Sequence, residues 1–412
     1  MGEKLLIIGN GMASVRLVET LVQIAPERFH ITIVGAEMQA GYNRVLLSAL
    51  LARDILEEDI ILKDRNWYQG NNICLISGKP VVSVDAQAKI AVLSGGQEIA
   101  FDACVFATGS NAIRLPIAGI EMPGVVTFRD LSDVTVMEQA ADIGRKITVI
   151  GGGLLGIEAA YGLAKRGADV TLVHVMDRLM ERQLDAAAAG LVKKALGRKR
   201  VKVLLQKQSI GITGKECATG IAFADGTSLE ADLVVCAVGI KPNSDLAKGA
   251  GLAVNRGIVV DDHMAASLPG FYAIGECAEH RGTAYGLVEP AYAQAETLAK
   301  HLIGQQAVFE GMILATNLKV SGLPVFSAGM FMGGDGMQVV TLEDRKTGSY
   351  RKLVLRDDCL VGCVLVGEAE DALWYLELIR SGSDISLARH LLIHGRDFAE
   401  AALANNSDLK AA

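Results

Sequence analysis

The sequence predicts an α/β fold, with two doubly wound parallel-sheet units followed by a smaller α/β unit towards the C-terminus. Three observations carry that prediction. Short apolar runs at 4–8 and 145–150 each lead into a glycine-rich turn, and each turn opens a stretch of helical length. Half of the residues are hydrophobic, only 5% are aromatic and glycine numbers 45, a mixture that suits buried parallel strands joined by tight turns. At 412 residues the chain is too long for one hydrophobic core, so two or three domains are expected.

The run 4–8 reads as a strand buried on both faces. Gly9, Asn10, Gly11, Met12, Ala13 and Ser14 follow, then a helix to about Ile24 and a second strand, 30–34, that ends near Glu37. This is the βαβ pattern of a Rossmann-like dinucleotide-binding domain. Gly9 permits the tight turn. Gly11 lets the backbone approach a pyrophosphate, which the free N–H groups of the helix N-terminus stabilise. Ser14 stands where a third glycine is usual and is small enough for close helix–strand packing. Glu37 is the candidate to accept hydrogen bonds from a ribose.

The second run leads into Gly151, Gly152, Gly153, Leu154, Leu155 and Gly156, with all three fingerprint glycines in place. A helix then runs to Gly167, and 169–173 is the next strand. Two fingerprints call for two dinucleotides. NAD-specific domains usually end this strand with an acid that accepts from the adenosine 2′-hydroxyl. Here His174 stands in that place, with Arg178 four residues on. A carboxylate would repel a 2′-phosphate, whereas His and Arg tolerate or bind one. That favours NADPH, or use of both nucleotides. Alternatively, His174 stacks on the adenine and selects nothing.

Further along, a strand at 101–106 ends in Ala107, Thr108 and Gly109, and a second at 231–236 ends in Ala237, Val238 and Gly239. The segment 270–278 reads Gly-Phe-Tyr-Ala-Ile-Gly-Glu-Cys-Ala and contains Gly275 and Glu276. With these motifs the chain resembles the pyridine-nucleotide-dependent flavoprotein reductases that carry two dinucleotide domains. The resemblance implies FAD on the first fingerprint and NADH or NADPH on the second, in a domain inserted into the first. It also implies that 270–278 returns the chain to the FAD domain, where Glu276 holds the ribityl chain. Within that family the chain is most similar to the flavin module of assimilatory NAD(P)H nitrite reductase large subunits. The segment 40–48 with Arg44 and Ser48, Glu rather than Asp at 276, 285–292 with Pro290, 317–322 and 365–368 carry this likeness. Val81 joins the implied cofactor contacts. Those subunits continue into a cysteine-rich iron–sulfur region and a siroheme domain, before which this chain stops. The expectation is therefore a free-standing reductase whose electron acceptor is a separate protein.

The implied division places the FAD domain at 1–112 and 241–310, the NAD(P) domain at 113–240 and a C-terminal α/β domain at 311–412. The last is expected to hold strands around Leu318, 339–342, 350–355 and 360–366, with a helix over about 371–379. It would cover the flavin edge or a subunit contact, such as a homodimer interface, and 405–412 are expected to fray.

Such a reductase asks little of side chains, because the cofactors carry the hard chemistry. Glu158, two residues after Gly156, matches the family's Gly-x-x-Gly-x-Glu, where the acid often lies near the nicotinamide. Its other reading is a helix-start carboxylate favoured by the macrodipole. The ferredoxin-reductase branch often has Lys after the Ser at 48; Ala49 here leaves Glu158 without that partner. No cysteine lies between Glu37 and Leu62, which excludes the thiol and disulfide mechanisms of the wider superfamily.

The net charge of −7 offers no basic footprint for nucleic acid. No apolar run approaches the roughly 20 residues of a membrane span. The first strand starts too early for a signal peptide, and seven scattered cysteines suit reduced thiols in the cytoplasm. Cys359 and Cys363 are expected on one face of a strand, both in the core. His390 and His394 lie one helical turn apart but lack a third ligand, so no metal site is expected. The run 198–200 reads as a solvated turn. Trp374 and Tyr375 read as core residues or as a shield for the flavin. The acceptor is expected to be a nitrite or nitrate reductase, or else a rubredoxin, ferredoxin or globin. An NAD(P)H oxidase and a non-catalytic redox-sensing module are the remaining alternatives.

Overall fold

The computed structural model describes residues 2–320 and 322–401, so the expected frayed end at 405–412 lies outside the described residues. Five parallel strands form the first sheet, in the order Phe271–Ala273, Ala103–Phe106, Glu3–Ile8, Phe29–Val34 and Cys74–Ile76. The central strand is buried along Leu5 to Ile8, as its unbroken apolar run requires. Helix Met12–Ile24 buries Val15, Leu17, Val18 and Leu21, one apolar face at helical spacing. A second parallel sheet runs Lys202–Leu204, Asp169–Val173, Lys146–Ile150, Leu233–Cys236 and Val125–Thr127. Between the two sheets the chain passes through Ser110–Ala112 and comes back through Ile240–Pro242, and these two crossing strands pair antiparallel.

Each parallel sheet has a small antiparallel companion that the sequence patterns do not reveal. One is Val81–Asp85, Ile90–Leu93 and Glu98–Ala100; the other is Ser209–Gly214, Ala218–Phe223 and Ser228–Glu230. Strands of three to six residues carry too few alternations for a period of two to stand out.

The remaining residues form an antiparallel sheet in the order Ala315–Val320, Leu323–Gly329, Cys359–Val366, Ser349–Arg356 and Gln338–Asp344. Leu323–Gly329 is absent from the sequence reading because Pro324 and the terminal glycine disguise it. Its alternation is real: Phe326 and Ala328 face helix Ala372–Ser381, while Val325, with Leu318, Tyr350 and Val364, joins the core of the second parallel unit. Tyr375 is fully buried in that helix-covered face, and Trp374 is half-buried beside it.

Two expectations fail here. Cys359 and Cys363 do not share a face, because Leu355 pairs with Leu360 while Val354 pairs with Gly362, leaving Val361 as an extra residue in the strand. Cys363 is buried, whereas Cys359 is half-exposed and directs its Sγ to the Gly382 carbonyl at 3.3 Å. His390 and His394 do not lie on one helix: both are exposed and follow helix Ala372–Ser381, with His394 ending the 3-10 turn Leu392–His394. Among the described residues no group of three or more His, Cys, Asp or Glu is placed to hold a metal. None of the described helices is long and apolar enough to cross a membrane.

Candidate active site

The two glycine turns are near copies. Gly9 has φ +113° and Gly151 φ +122°, and a Cβ at either would collide with the carbonyl of Ala107 or Ala237 on the neighbouring strand. Helices Met12–Ile24 and Leu154–Lys165 start from extended Gly11 and Gly153, with no side-chain cap and no acid in the first turn. Helices Leu131–Asp142 and Ala186–Arg198, in contrast, are capped by Asp130 and Asp185. The first N–H groups of a helix need acceptors. At Gly11 and Gly153 the space a Cβ would occupy is open, so each uncapped end offers its N–H groups to an anion. The third position solves one problem in two ways. Gly156 packs its bare Cα against the Gly151 carbonyl, while Ser14, fully buried, donates its hydroxyl to the equivalent Gly9 carbonyl at 2.6 Å.

A line of paired charges runs from the end of the second strand to the return segment. Tyr42 donates its hydroxyl to Glu37 at 2.6 Å, and Arg44 pairs with Glu37 and reaches the Tyr42 oxygen at 2.8 Å. Burial pushes the Tyr42 phenol well up; it opposes the Arg44 charge, which Tyr42 and Glu37 nevertheless hold. Arg44 also donates to the Arg129 carbonyl at 3.0 Å. Arg129 in turn pairs with Glu276, whose carboxylate accepts from the Ser110 hydroxyl at 2.9 Å. Sequence reasoning missed Arg129. It sits in the loop before helix Leu131–Asp142 with no motif around it, and meets Glu276 only through the fold.

The other predicted positions cluster around this line. Thr108 donates its hydroxyl to Asn243 at 2.6 Å, and the Asn243 N–H returns to Gly109 at 2.9 Å, tying the Ala107–Gly109 loop to the returning chain. Gly275, at φ +78°, lies against Ala13 and donates its N–H to Gln294 at 2.8 Å, on the helix Val288–Leu302 that carries Pro290 in its first turn. Val81 opens the strand just after Gly78, whose N–H bonds the Glu37 carbonyl at 2.9 Å. In the second unit Gly239, at φ +126°, follows Ala237 and Val238 and accepts from Ile113 at 2.9 Å. Cys277 is buried with its Sγ 3.4 Å from the Phe106 carbonyl, and burial pushes its thiol up, away from the thiolate form.

Glu158 and Ser48 meet in the seam between the units. Ser48, on the short helix Leu47–Leu51, hydrogen-bonds the Glu158 carboxyl. Gly162 leaves room for Leu51, Arg166 donates to the Leu51 carbonyl at 3.3 Å, and Lys165 pairs with Asp54. Burial raises the Glu158 carboxyl to about 7, against the opposing pull of the Ser48 hydrogen bond, so it holds its proton close to neutrality.

His174 departs from expectation. It does not stand free at the strand end: it is 9% exposed, and Nδ1 accepts from the Gly152 N–H at 3.0 Å while Nε2 faces Glu181 at 3.0 Å. Arg178 is turned to Asp177 and the Leu184 carbonyl.

Comparison with known proteins agrees with this architecture. The family model described as pyridine nucleotide-disulphide oxidoreductase matches residues 3–295, and that of the rubredoxin NAD+ reductase C-terminal domain matches 315–383. The chain is 46% identical, over 94% of its length, to nitrite reductase [NAD(P)H] of Bacillus subtilis, covering 48% of that protein. It is 39% identical, over 95% of its length, to the assimilatory nitrate reductase electron transfer subunit of the same organism, covering 51% of it. The chain thus spans about half the length of these curated relatives. The crystal structure of NADH:rubredoxin oxidoreductase from Clostridium acetobutylicum superposes with a TM-score of 0.77 at 26% identity, over 98% of this chain and 100% of that one. With its two glycine turns and its C-terminal sheet both matched, the chain belongs to the pyridine nucleotide-disulphide oxidoreductase family, whose cofactors are FAD and NAD(P)H.

Proposed function

We propose that this chain takes a hydride from NAD(P)H on its second unit, passes the electrons through FAD on its first, and hands them to a separate redox protein of nitrite or nitrate assimilation. The observation that carries the reading is the pair of uncapped, acid-free helix N-termini at Gly11 and Gly153. Each opens on free space, whereas helices Leu131–Asp142 and Ala186–Arg198 are capped by Asp and the uncapped helix Val288–Leu302 carries Glu289 in its first turn. The bound flavin would supply the two-electron to one-electron conversion.

The side chains bind and orient. Gly9, Gly11, Met12, Ala13 and Ser14 receive the FAD pyrophosphate, and Glu37 and Val81 border its adenosine. Arg44 and Arg129 supply two guanidinium groups that balance Glu37 and Glu276. Ala107, Thr108, Gly109, Gly275, Glu276 and Pro290 frame the ribityl chain and ring. Gly151, Gly153, Leu154, Leu155, Gly156, Ala237, Val238 and Gly239 receive the nicotinamide nucleotide. Ser48 and Glu158 line the seam between the two units and would border the bound rings, where Glu158, still protonated near neutrality, would offer a neutral hydrogen-bond donor. The division at about 112, 240 and 310 belongs to the same proposal, as does a cytoplasmic setting.

A rubredoxin or ferredoxin acceptor is the second reading, favoured by the match of residues 315–383 to a rubredoxin reductase domain. Anaerobic titration of the yellow protein with NADH and NADPH tests the core of the proposal. Bleaching of the flavin without a long-wavelength thiolate band is expected, and a flavin that neither nucleotide reduces would refute it. Acceptor assays then decide between the redox partners.

A further inference from the structure

The second unit places a carboxylate where its sequence pattern lacks one. Strand Asp169–Val173 ends at His174, in the position where an acid usually receives the adenosine ribose. The His174 ring is turned inwards under the glycine turn. Its Nδ1 accepts from the Gly152 N–H at 3.0 Å, so the lone pair is on Nδ1 and the proton on Nε2, which is donated to Glu181 Oε2 at 3.0 Å. Both ring nitrogens are therefore engaged inside the protein, and neither is turned outwards to meet a 2′-phosphate.

The loop that carries Glu181 folds back over the same turn. Met180, in the left-handed region at φ +51°, donates its N–H to the Gly152 carbonyl at 2.9 Å, and Leu179 Cδ2 lies 2.9 Å from where a Gly152 Cβ would be. Glu181 follows at once, with its side chain 22% exposed and Oε1 free of protein donors among the described residues. The nearby cation Arg178 is already matched by Asp177 and the Leu184 carbonyl, and Arg182 is exposed to solvent.

We propose that Glu181, positioned by His174, is the carboxylate that receives the adenosine ribose hydroxyls, and that through it the chain selects NADH over NADPH. This rests on the reading that the Gly151–Gly156 turn holds the nicotinamide nucleotide. It reverses the preference that His174 and Arg178 suggest in the sequence. A ribose 2′-hydroxyl donates to the carboxylate, whereas a 2′-phosphate brings about two negative charges to a partly desolvated anion.

The test uses the flavin-loaded protein and two probes, 5′-ADP and 2′,5′-ADP, with binding measured by calorimetry beside flavin reduction by NADH and NADPH. The parent should bind 5′-ADP at least about tenfold more tightly and show the same preference for NADH in kcat/KM. Glu181→Gln should narrow both ratios and Glu181→Arg should reverse them. His174→Asn should shift the ratios in the same direction as Glu181→Gln, which a packing defect alone would not do. Equal or tighter binding of 2′,5′-ADP by the parent, or ratios unmoved in Glu181→Gln, would overturn the selection by Glu181 while leaving the reductase reading intact. Reduction of the flavin by neither nucleotide would instead overturn the functional reading and the proposal with it.

Discussion

Replacing Glu158 by Gln should stabilise the protein at high pH and leave it nearly unchanged at low pH. The carboxyl is raised from 4.5 to about 7 by burial between the helix Leu154–Lys165 and the Ser48 segment, and one pH unit of such displacement corresponds to about 1.4 kcal/mol. The folded state therefore holds a proton that the unfolded chain releases. Below 4.5 both states are protonated and the group costs nothing; as pH rises to about 7 the stability falls, and above that the loss levels off at about 3 kcal/mol. Gln cannot ionise, so the gap in unfolding free energy between Glu158→Gln and the parent should grow by roughly 2 to 3 kcal/mol from pH 5 to pH 8. Urea unfolding of both proteins at those two pH values, followed by tryptophan fluorescence and circular dichroism, measures it. A gap that stays constant with pH, or that shrinks towards pH 8, would refute the buried, protonated carboxyl.

Other consequences are equally direct. Gly9→Ala forces a Cβ onto the Ala107 carbonyl at φ +113°, so it should lower the melting temperature of the flavin-free protein, whereas Gly11→Ala, entering open space, should leave that temperature alone and weaken flavin retention. Arg129→Ala leaves Glu276 without its guanidinium and should speed flavin loss on dilution, measured by the rise in free-flavin fluorescence. Burial pushes the Asp185 carboxyl up, but the Ala188 N–H, Tyr350 and Lys352 together hold it below the usual carboxylate range. Its ionised form thus stabilises the protein above that range, and the contribution disappears as pH falls through the lowered value. Asp185→Ala should cost about 3 to 5 kcal/mol by stranding the buried Lys352, and should expose the C-terminal sheet to limited proteolysis.

What could be read along the chain was whatever short-range stereochemistry specifies. A glycine turn between a buried strand and a helix is written in a few consecutive residues, because only glycine tolerates φ values such as +113° and +122° against a neighbouring carbonyl. The longer parallel strands were legible for the same reason, as unbroken apolar runs, whereas the three-residue strands Cys74–Ile76, Val125–Thr127 and Lys202–Leu204 were too short to stand out. The thin, half-exposed antiparallel strands were not legible either, nor was Leu323–Gly329 behind its proline.

Arg129 and Glu276 show where local reading stops, since the pair exists only because the crossing strands Ser110–Ala112 and Ile240–Pro242 bring the two halves side by side. One inserted residue, Val361, separates the faces of Cys359 and Cys363, and a bulge is decided by the partner strand. His174 makes the same point about chemistry. The sequence by itself determined that this chain has two dinucleotide turns and no cysteine between Glu37 and Leu62. Only the tertiary structure decided which nitrogen of His174 carries the proton and which carboxylate stands at the second turn, because a tautomer is set by the donor that the fold aims at the ring.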